Sequence, residues 1–204
     1  MHFEETLSIM KTQRTNTHEH LDTMLLLFFT VSVSGYLWEI LLYFFMNGTF
    51  TNRGFFHGPW LPIYGFGAVL LAGMLDKLPD RLKNRLLLLF LLSALVCTVT
   101  EYLLGLYLET RRHVRYWDYT GWPLSIGGKV CLISFLFFGL GGLLLERWLL
   151  PCLRRIPQKL TLHRIRGLKW FHAVLGALCL LFLVDFFYSY AHPNMGNNIS
   201  FRIR

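Results

Sequence analysis

Long apolar runs separated by short polar segments are the main pattern of this 204-residue chain. Runs of close to 20 apolar residues are typical of membrane-spanning helices. The pattern predicts five of them, at about 24–46, 58–75, 86–108, 130–150 and 171–191. We therefore expect a polar tail at 1–23, a single transmembrane domain at 24–191 and a second tail at 192–204. The predicted fold is an all-α, polytopic bundle of membrane helices.

Composition supports this class. Hydrophobic residues make up 54% of the chain and charged residues only 16%, whereas globular proteins carry about 25% charged residues. A water-soluble chain of this length cannot bury so much apolar surface in one core. The four cysteines show no CxxC spacing, so we expect free thiols and no disulfide framework.

The distribution of basic residues predicts the orientation. Of the 20 Lys and Arg residues, 13 lie in the N-terminal tail, 76–85 and 147–170, and 7 lie in the other polar segments. Because cytoplasmic loops carry the excess of Lys and Arg, the N-terminus is expected inside and the C-terminus outside. The basic segment 147–170 suits anionic headgroups. Membrane lipids are therefore expected partners, and nucleic acid is not.

Three predicted spans contain an acid at a similar position. Glu39 and Glu101 are the 16th residues of the first and third spans, and Asp185 is the 15th of the fifth. A carboxylate in lipid costs about 2.5–3.5 kcal/mol, so such acids are candidates for function. We expect Glu39 and Glu101 to bind a cation, a proton or an amine. Asp185 lies nearer its helix end, where structural hydrogen bonds to neighbouring polar side chains are the favoured interpretation.

A weak internal repeat includes the first two acids. Pro62 follows Glu39 by 23 residues and Pro123 follows Glu101 by 22 residues. Each proline opens a segment with two glycines, "PIYGFGAVLL" and "PLSIGGKVCL". A helix with an acid, an aromatic-rich connector and a second helix would then form a duplicated two-helix unit, as in some transporters.

The connector "NRGFFHGPWLPIYGFG", residues 52–67, leads into the second span. Prolines and glycines weaken the first turns of that span, and short interrupted spans in matching positions point to a binding site at membrane depth. We interpret 52–67 as a partly re-entrant connector that lines an outward-opening cavity. An ordinary interfacial loop is the alternative. The predicted structural residues here are Gly54, Pro59, Pro62, Gly65 and Gly67.

The second connector, "ETRRHVRYWDYTGWPLSIGGK", alternates charged and aromatic residues. Guanidinium groups can bind phosphate or carboxylate, and the rings can stack a flat or cationic group. A headgroup-level segment held by its own ion pairs is the alternative, with Glu109 paired to Arg112 or His113. Arg53 of the first connector is expected to pair with Glu39 or Asp118. The predicted substrate-binding residues are Glu39, Arg53, Tyr64, Glu101, Glu109, Arg112, Trp117, Asp118, Tyr119 and Lys129, with Pro123 and Gly128 as structural residues.

The blocks "NRGFFHGPWLPIYGFGAVL" and "EYLLGLYLETRRHVRYWDYTGWPLSIGGKVCL" resemble the two signature blocks of the type IV ABC-transporter permease family, the CmpB-like proteins. The resemblance covers roughly 35–142 and implies a transport function in a bacterial cytoplasmic membrane. The chain has no GxxxxGK[ST] motif, so the resemblance also implies a separate ATPase subunit. The matching residues are Glu39, Asn52, Arg53, Gly54, Gly58, Pro59, Pro62, Tyr64, Gly65, Gly67, Glu101, Tyr102, Gly105, Glu109, Trp117, Asp118, Tyr119, Pro123 and Gly128.

These patterns together predict a permease-like protein that binds and translocates a small solute or ion. We expect no metal site and no cofactor. A membrane-embedded enzyme acting on a lipid-soluble substrate is one alternative. A structural or regulatory subunit is another, because glycines such as Gly139 and Gly142 allow close helix approach within the chain or in a homo-oligomer.

Overall fold

A computed structural model describes residues 2–48, 50, 52, 54–162, 167–194 and 201–202, with side chains at 17–45, 48, 50, 52, 54–160 and 169–194. The helices are α1 (His2–Asn47), α2 (Pro62–Asp76), α3 (Asp80–Lys83), α4 (Leu86–Tyr107), α5 (Leu132–Leu144), α6 (Leu150–Leu162) and α7 (Gly167–Ala191). A π-helical turn, Leu108–Arg112, extends α4, and a second one, Leu145–Leu149, joins α5 to α6. Strand β1 (Val114–Arg115) pairs antiparallel with β2 (Phe201–Arg202).

Four segments within the described residues are long and apolar enough to cross a membrane. They are Thr17–Phe45, Leu86–Arg112, Leu132–Leu160 and Lys169–Ala191. The protein is thus an integral membrane protein with a largely helical fold, as the composition predicted. The apolar helix α2 has only 15 residues, or about 22 Å, which is less than the roughly 30 Å of hydrocarbon in a bilayer. The five predicted spans therefore correspond to four long apolar helices and one short one.

Local chemistry explains where the shorter helices begin. Pro62 occupies the first turn of α2. Backbone N–H groups in that turn have no acceptor within the helix, so the N–H that proline lacks costs no helical hydrogen bond. At the start of α5, the Ser134 amide donates to Cys131 Sγ at 3.4 Å, and the Cys131 amide donates to Ser134 Oγ at 3.2 Å. This reciprocal cap satisfies two amides that the first helical turn leaves unpaired.

Small residues bring the helices together in two pairs. A Cβ on Gly65 of α2 would lie 2.2 Å from Ser32 Oγ on α1, and a Cβ on Gly142 of α5 would lie 2.1 Å from Ser93 Oγ on α4. Gly67, by contrast, has nothing within 4 Å. Close approach at small residues is how helices pack in a membrane. The pairs enclose an apolar core that includes Leu27, Leu71, Leu75, Leu89, Leu145, Leu150 and Leu153.

The bundle has two polar ends. At one end, which we call the α3 face, the residues that join α2 to α4 lie close to α6, because Asp76 pairs with Arg154. Asp22 also pairs there with His172 across 2.9 Å. The opposite end is the connector face. It carries the described residues of 48–61, which precede α2 and are called the first connector from here on, residues 108–131, called the second connector, and the end of α7. Both connectors thus reach the same end of the bundle.

Candidate functional site

The first connector runs down the side of α7. The Phe55 carbonyl accepts a hydrogen bond from the Asn194 amide at 3.1 Å, just beyond the end of α7. Five residues later, the Trp60 ring packs edge-on against Phe182, with ring centroids 5.8 Å apart. Since Phe182 lies nine residues before Ala191, the last residue of α7, these contacts move roughly 14 Å along the helix.

The carboxylate of Asp185 fixes this connector to α7. It accepts hydrogen bonds from Trp60 Nε1 at 2.6 Å, the Gly58 amide at 3.0 Å and the His57 amide at 3.2 Å. The Ser189 hydroxyl donates to it at 3.0 Å, one turn further along α7. The structural interpretation of Asp185 is therefore confirmed: its oxygens satisfy donors that the apolar surroundings could not satisfy.

The same side chains resemble the components of a hydrolytic triad without its geometry. Ser189 Oγ lies 3.0 Å from both Asp185 Oδ1 and His57 Nδ1. The serine therefore sits between the other two groups, whereas a catalytic aspartate holds the histidine. Ser189 is also fully buried. The arrangement stabilises the connector and presents no nucleophile.

The inner end of the first connector positions Tyr64. The Leu61 amide donates to the Ser32 carbonyl of α1 at 3.0 Å, so the chain enters α2 beside the middle of the apolar span Thr17–Phe45. One turn later, the Tyr64 hydroxyl donates to Glu39 Oε1 at 2.9 Å. The ring lies over Gly35, where a Cβ would come within 2.6 Å of it. A glycine on α1 therefore makes room for this tyrosine.

The second connector positions Tyr119 in an equivalent way. Its hydroxyl donates to Glu101 Oε1 on α4 at 3.1 Å, and its amide donates to the Gly128 carbonyl at 2.8 Å. Gly128 has a φ of +68°, and a Cβ there would lie 2.5 Å from Asp118 Oδ1. Both the left-handed backbone and the close approach favour glycine at this position.

Ion pairs hold the second connector together. Arg115 Nη2 donates to Glu109 Oε1 at 2.5 Å and Arg115 Nη1 lies 3.4 Å from Asp118 Oδ2. Lys129 Nζ pairs with the other oxygen of Glu109, and its carbonyl accepts from Trp117 Nε1 at 2.8 Å. The predicted pairing of Glu109 with Arg112 or His113 is thus replaced by pairs to Arg115 and Lys129.

The connector network also shifts the protonation of Asp118. Partial burial raises the pKa of its carboxyl, but hydrogen bonds from Thr120 and the charge of Arg115 outweigh burial, so the pKa lies below its ordinary value. The Glu109 carboxylate raises the pKa of Arg115 in turn. Both shifts favour the charged forms, so the ion pair between Arg115 and Asp118 stabilises the second connector.

Little space remains beside this network. A cavity at the junction of α4 and the second connector has a volume of about 10 Å³, which is room for roughly one water molecule. A solute does not fit there in this conformation. The lining residues are Gly105, Leu108, Val114, Arg115, Tyr116, Trp117 and Lys129.

The two glutamate–tyrosine pairs meet inside the bundle. Glu101 is close enough to Glu39 for their charges to interact, and Tyr64 interacts electrostatically with both Tyr119 and Glu101. We call Glu39, Tyr64, Glu101 and Tyr119 the Glu–Tyr cluster. Glu101 is only 7% exposed, and its carboxylate interacts with the Ser134 hydroxyl of α5 as well as with Tyr119. Two carboxylates and two phenols in one apolar place can hold a cation or share a proton.

The other predicted residues lie outside this cluster. The Arg112 guanidinium stacks on the Tyr190 ring of α7, 4.9 Å from its centroid, and the Pro123 carbonyl accepts from the Leu132 amide at 2.9 Å. Arg53 lies outside the described residues. Sequence reasoning missed Arg115 as the centre of the ion pairs, although its i,i+3 spacing to Asp118 is a signal for such a pair.

Comparison with known proteins bears on the chain as a whole. No curated protein and no solved structure matches it. A family model described as "Putative ABC-transporter type IV" matches residues 26–190, which include both connectors and both glutamate–tyrosine pairs. The match confirms the resemblance that the two sequence blocks indicated, and the chain belongs to this family of ABC-transporter-type membrane proteins.

Proposed function

We propose that the protein is a permease-like subunit that binds a small cation, such as a protonated amine or a proton, at the Glu–Tyr cluster and moves it across the membrane. The convergence of Glu39, Glu101 and their two tyrosines inside the bundle carries this proposal. Acids inside a membrane face protein or water-filled space and mark ion and proton pathways. Phenol oxygens add neutral ligands for an ammonium group.

The connectors control access in this proposal. A re-entrant first connector is supported by its contacts along α7 and by the Leu61 amide, which reaches the middle of the apolar span Thr17–Phe45 of α1. Irregular backbone at that depth must be buried in protein, and the Asp185 bonds satisfy this requirement. The second connector covers the cluster, and separation of its ion pairs would open the outward cavity. The similar roles of Tyr64 and Tyr119 favour a duplicated two-helix unit.

The source of energy follows from the family. Family membership and the lack of a nucleotide-binding motif in the chain favour a separate ATPase subunit that binds at the α3 face. The predicted orientation places this face, with most of the basic residues, in the cytoplasm. The exposed apolar surfaces of the helices could also pack against a second copy of the chain in a homo-oligomer.

Uptake by reconstituted protein tests the proposal. Proteoliposomes containing the full chain should accumulate radiolabelled methylammonium when an imposed membrane potential replaces the ATPase subunit as the driving force. The double variant Glu39→Gln, Glu101→Gln should lose this uptake, because neutral amides cannot balance the ammonium charge. Glu19→Gln, on the same helix as Glu39 but near the α3 face, is the matched control and should transport normally. Wild-type uptake by a folded double variant would exclude the cluster as the binding site.

A further inference from the structure

The end of α7 contacts both connectors. Just beyond the helix, the Asn194 backbone amide donates to the Phe55 carbonyl at 3.1 Å, and the Asn194 side-chain amide donates to the Phe56 carbonyl at 3.2 Å. Four residues earlier, the Tyr190 ring lies against the Arg112 guanidinium of the second connector, with its centroid 4.9 Å from Cζ. One short segment of the chain therefore holds a part of each connector.

Further along, the chain returns to the second connector. Strand β2 pairs antiparallel with β1, so that Val114 lies opposite Arg202 and Arg115 lies opposite Phe201. Strand β1 begins two residues after Arg112. The Tyr190 ring and β2 therefore hold adjacent positions of the same connector.

These contacts lie where the second connector would move on opening. Val114 and Arg115 line the cavity of about 10 Å³ beside α4, and Val114 is only 4% exposed. Moving β1 away from α4 would enlarge this cavity. Phe201 follows Asn194 by seven residues, and a chain of that length spans at most about 25 Å. Strand β2 therefore tethers β1 to the first connector.

We propose that Tyr190, Asn194 and β2 form a latch, the C-terminal latch, that holds the second connector closed. Asn194 fixes the latch to the first connector, which the hydrogen bonds to Asp185 hold in place. Tyr190 and β2 hold the second connector, which opens when these two contacts separate. The inference goes beyond the proposed function, because it concerns how the connector is held, whatever ligand the cluster binds.

The contacts of the latch are weak enough to open reversibly. Tyr190 is 60% exposed, and a cation–π contact at an exposed site contributes less than one that is shielded from water. An isolated pair of strands is marginally stable in water, and β1 and β2 have only two residues each. Two weak contacts at adjacent positions can keep the connector closed and still release it.

Hydrogen exchange of the full chain in detergent micelles, followed by mass spectrometry, tests the latch. Tyr190→Leu keeps an apolar side chain and removes the ring that Arg112 contacts. We expect exchange in 108–117 to become about two- to fivefold faster, because one exposed cation–π contact is lost. Phe201→Pro disrupts strand pairing and should have a similar effect. Phe187→Leu, at another exposed ring of α7, is the matched control and should leave exchange in 108–117 unchanged.

A crosslink tests the position of β2 directly. Val114 and Arg202 are cross-strand partners, and the Cα atoms of such partners lie within the range that a disulfide bridges. The double variant Val114→Cys, Arg202→Cys should therefore form a disulfide under mild oxidation. Exchange in 108–117 should then be slower than in the wild type, and reduction should reverse the change. Val114→Cys alone is the control for pairing with the native thiols.

Exchange in 54–61 should stay at the wild-type rate in every variant, which also shows that the variants are folded. Faster exchange in both 54–61 and 108–117 overturns the latch, since the latch acts on the second connector alone. Wild-type exchange in 108–117 in both Tyr190→Leu and Phe201→Pro overturns it too, as does the absence of the crosslink. A wild type that takes up no methylammonium contradicts the proposed function only, because exchange and crosslinking need no ligand.

Discussion

The two connectors bring a tyrosine to a carboxylate by different means. The first connector is held to a distant helix, α7, by hydrogen bonds to one carboxylate and by an edge-on contact between aromatic rings. The second connector is held mostly to itself and to the end of α4, by ion pairs among Glu109, Arg115, Asp118 and Lys129. The two connectors therefore share a result, the glutamate–tyrosine pair, and not a local structure.

Because the two connectors are held by different interactions, we expect them to differ in mobility. The bonds to Asp185 cannot break without moving the first connector away from α7, where Trp60 is buried. The ion pairs of the second connector lie at the connector face, so they can separate without disturbing helix packing. Elements with fewer buried apolar contacts open at lower free energy. We therefore expect the first connector to act as a fixed wall and the second as the part that opens.

The largest effect should come from removing the anchor of the first connector. Asp185→Ala would leave the Trp60 indole N–H and two backbone amides without an acceptor, so the free energy of unfolding should fall by about 3 kcal/mol or more. Asp185→Asn retains one acceptor oxygen and should be less harmful. Unfolding in detergent micelles measures this effect. Asp80→Ala, at an exposed carboxylate of α3, is the control, and an equal effect of the two alanine variants would contradict the anchoring role.

Substitution of the glycines at the close helix contacts should cause the next largest loss in stability. The loss should be similar in the two helix pairs. Gly65→Ala places a methyl group against Ser32 Oγ and the Phe28 carbonyl, and such overpacking costs about 1–3 kcal/mol. Gly67→Ala meets nothing within 4 Å and should stabilise α2 by up to about 1 kcal/mol.

The second helix pair offers the same comparison. Gly142→Ala would clash with Ser93, whereas Gly141→Ala has open space. The melting temperatures of purified Gly65→Ala and Gly142→Ala should therefore fall below that of the wild type, and those of Gly67→Ala and Gly141→Ala should not. A neutral Gly65→Ala would show that the α1–α2 contact is not as close as described, and a destabilising Gly67→Ala would show that Gly67 does not face open space.

Weakening the ion pairs should affect the second connector alone. Lys129→Met leaves Glu109 with Arg115 as its remaining partner, so the loss in stability should be about 1 kcal/mol. Hydrogen exchange followed by mass spectrometry should then show about fivefold faster exchange in 113–130, with no change in 54–61. Faster exchange in both connectors would mean that they open as one unit.

The smallest effects on stability should come from the two tyrosine hydroxyls. Tyr64→Phe and Tyr119→Phe each remove one hydrogen bond to a glutamate, at a cost of about 1 kcal/mol or less, and each should weaken methylammonium binding. Tyr107→Phe, on the exposed side of α4, is the control. If only one of the two variants weakened binding, the two pairs would not be equivalent.

Sequence patterning predicted the elements that depend on local chemistry and on the membrane. Apolar runs indicated the long helices, and the cost of a buried carboxylate singled out Glu39 and Glu101, which the structure brings close to each other. The start of α2 at Pro62, and not at residue 58, depends on the binding of Gly58 and Trp60 to Asp185. These partners lie more than 100 residues apart in sequence, where no spacing rule applies.

The ion-pair partners of Glu109 could not be predicted from sequence spacing either. Glu109 has Arg111, Arg112 and Arg115 as close neighbours in sequence, and only the left-handed turn at His113 (φ 53°) brings Arg115 back toward it. The fourth predicted span ends at about residue 150, where the basic segment 147–170 has begun. The structure continues the helix through a π-helical turn, which local propensity does not predict.

The length of α1 has a mechanical consequence. Its 46 residues make a continuous rod of about 69 Å, roughly twice the thickness of the hydrocarbon layer, with Glu39 near one end and the polar N-terminal turns at the other. Glu39 lies ten residues beyond Phe29, or about 15 Å along the axis. A tilt of about 10° around Phe29 would therefore displace Glu39 by roughly 3 Å, enough to separate it from Tyr64. A force applied to the N-terminal part of α1 would therefore move the Glu39 carboxylate relative to Tyr64.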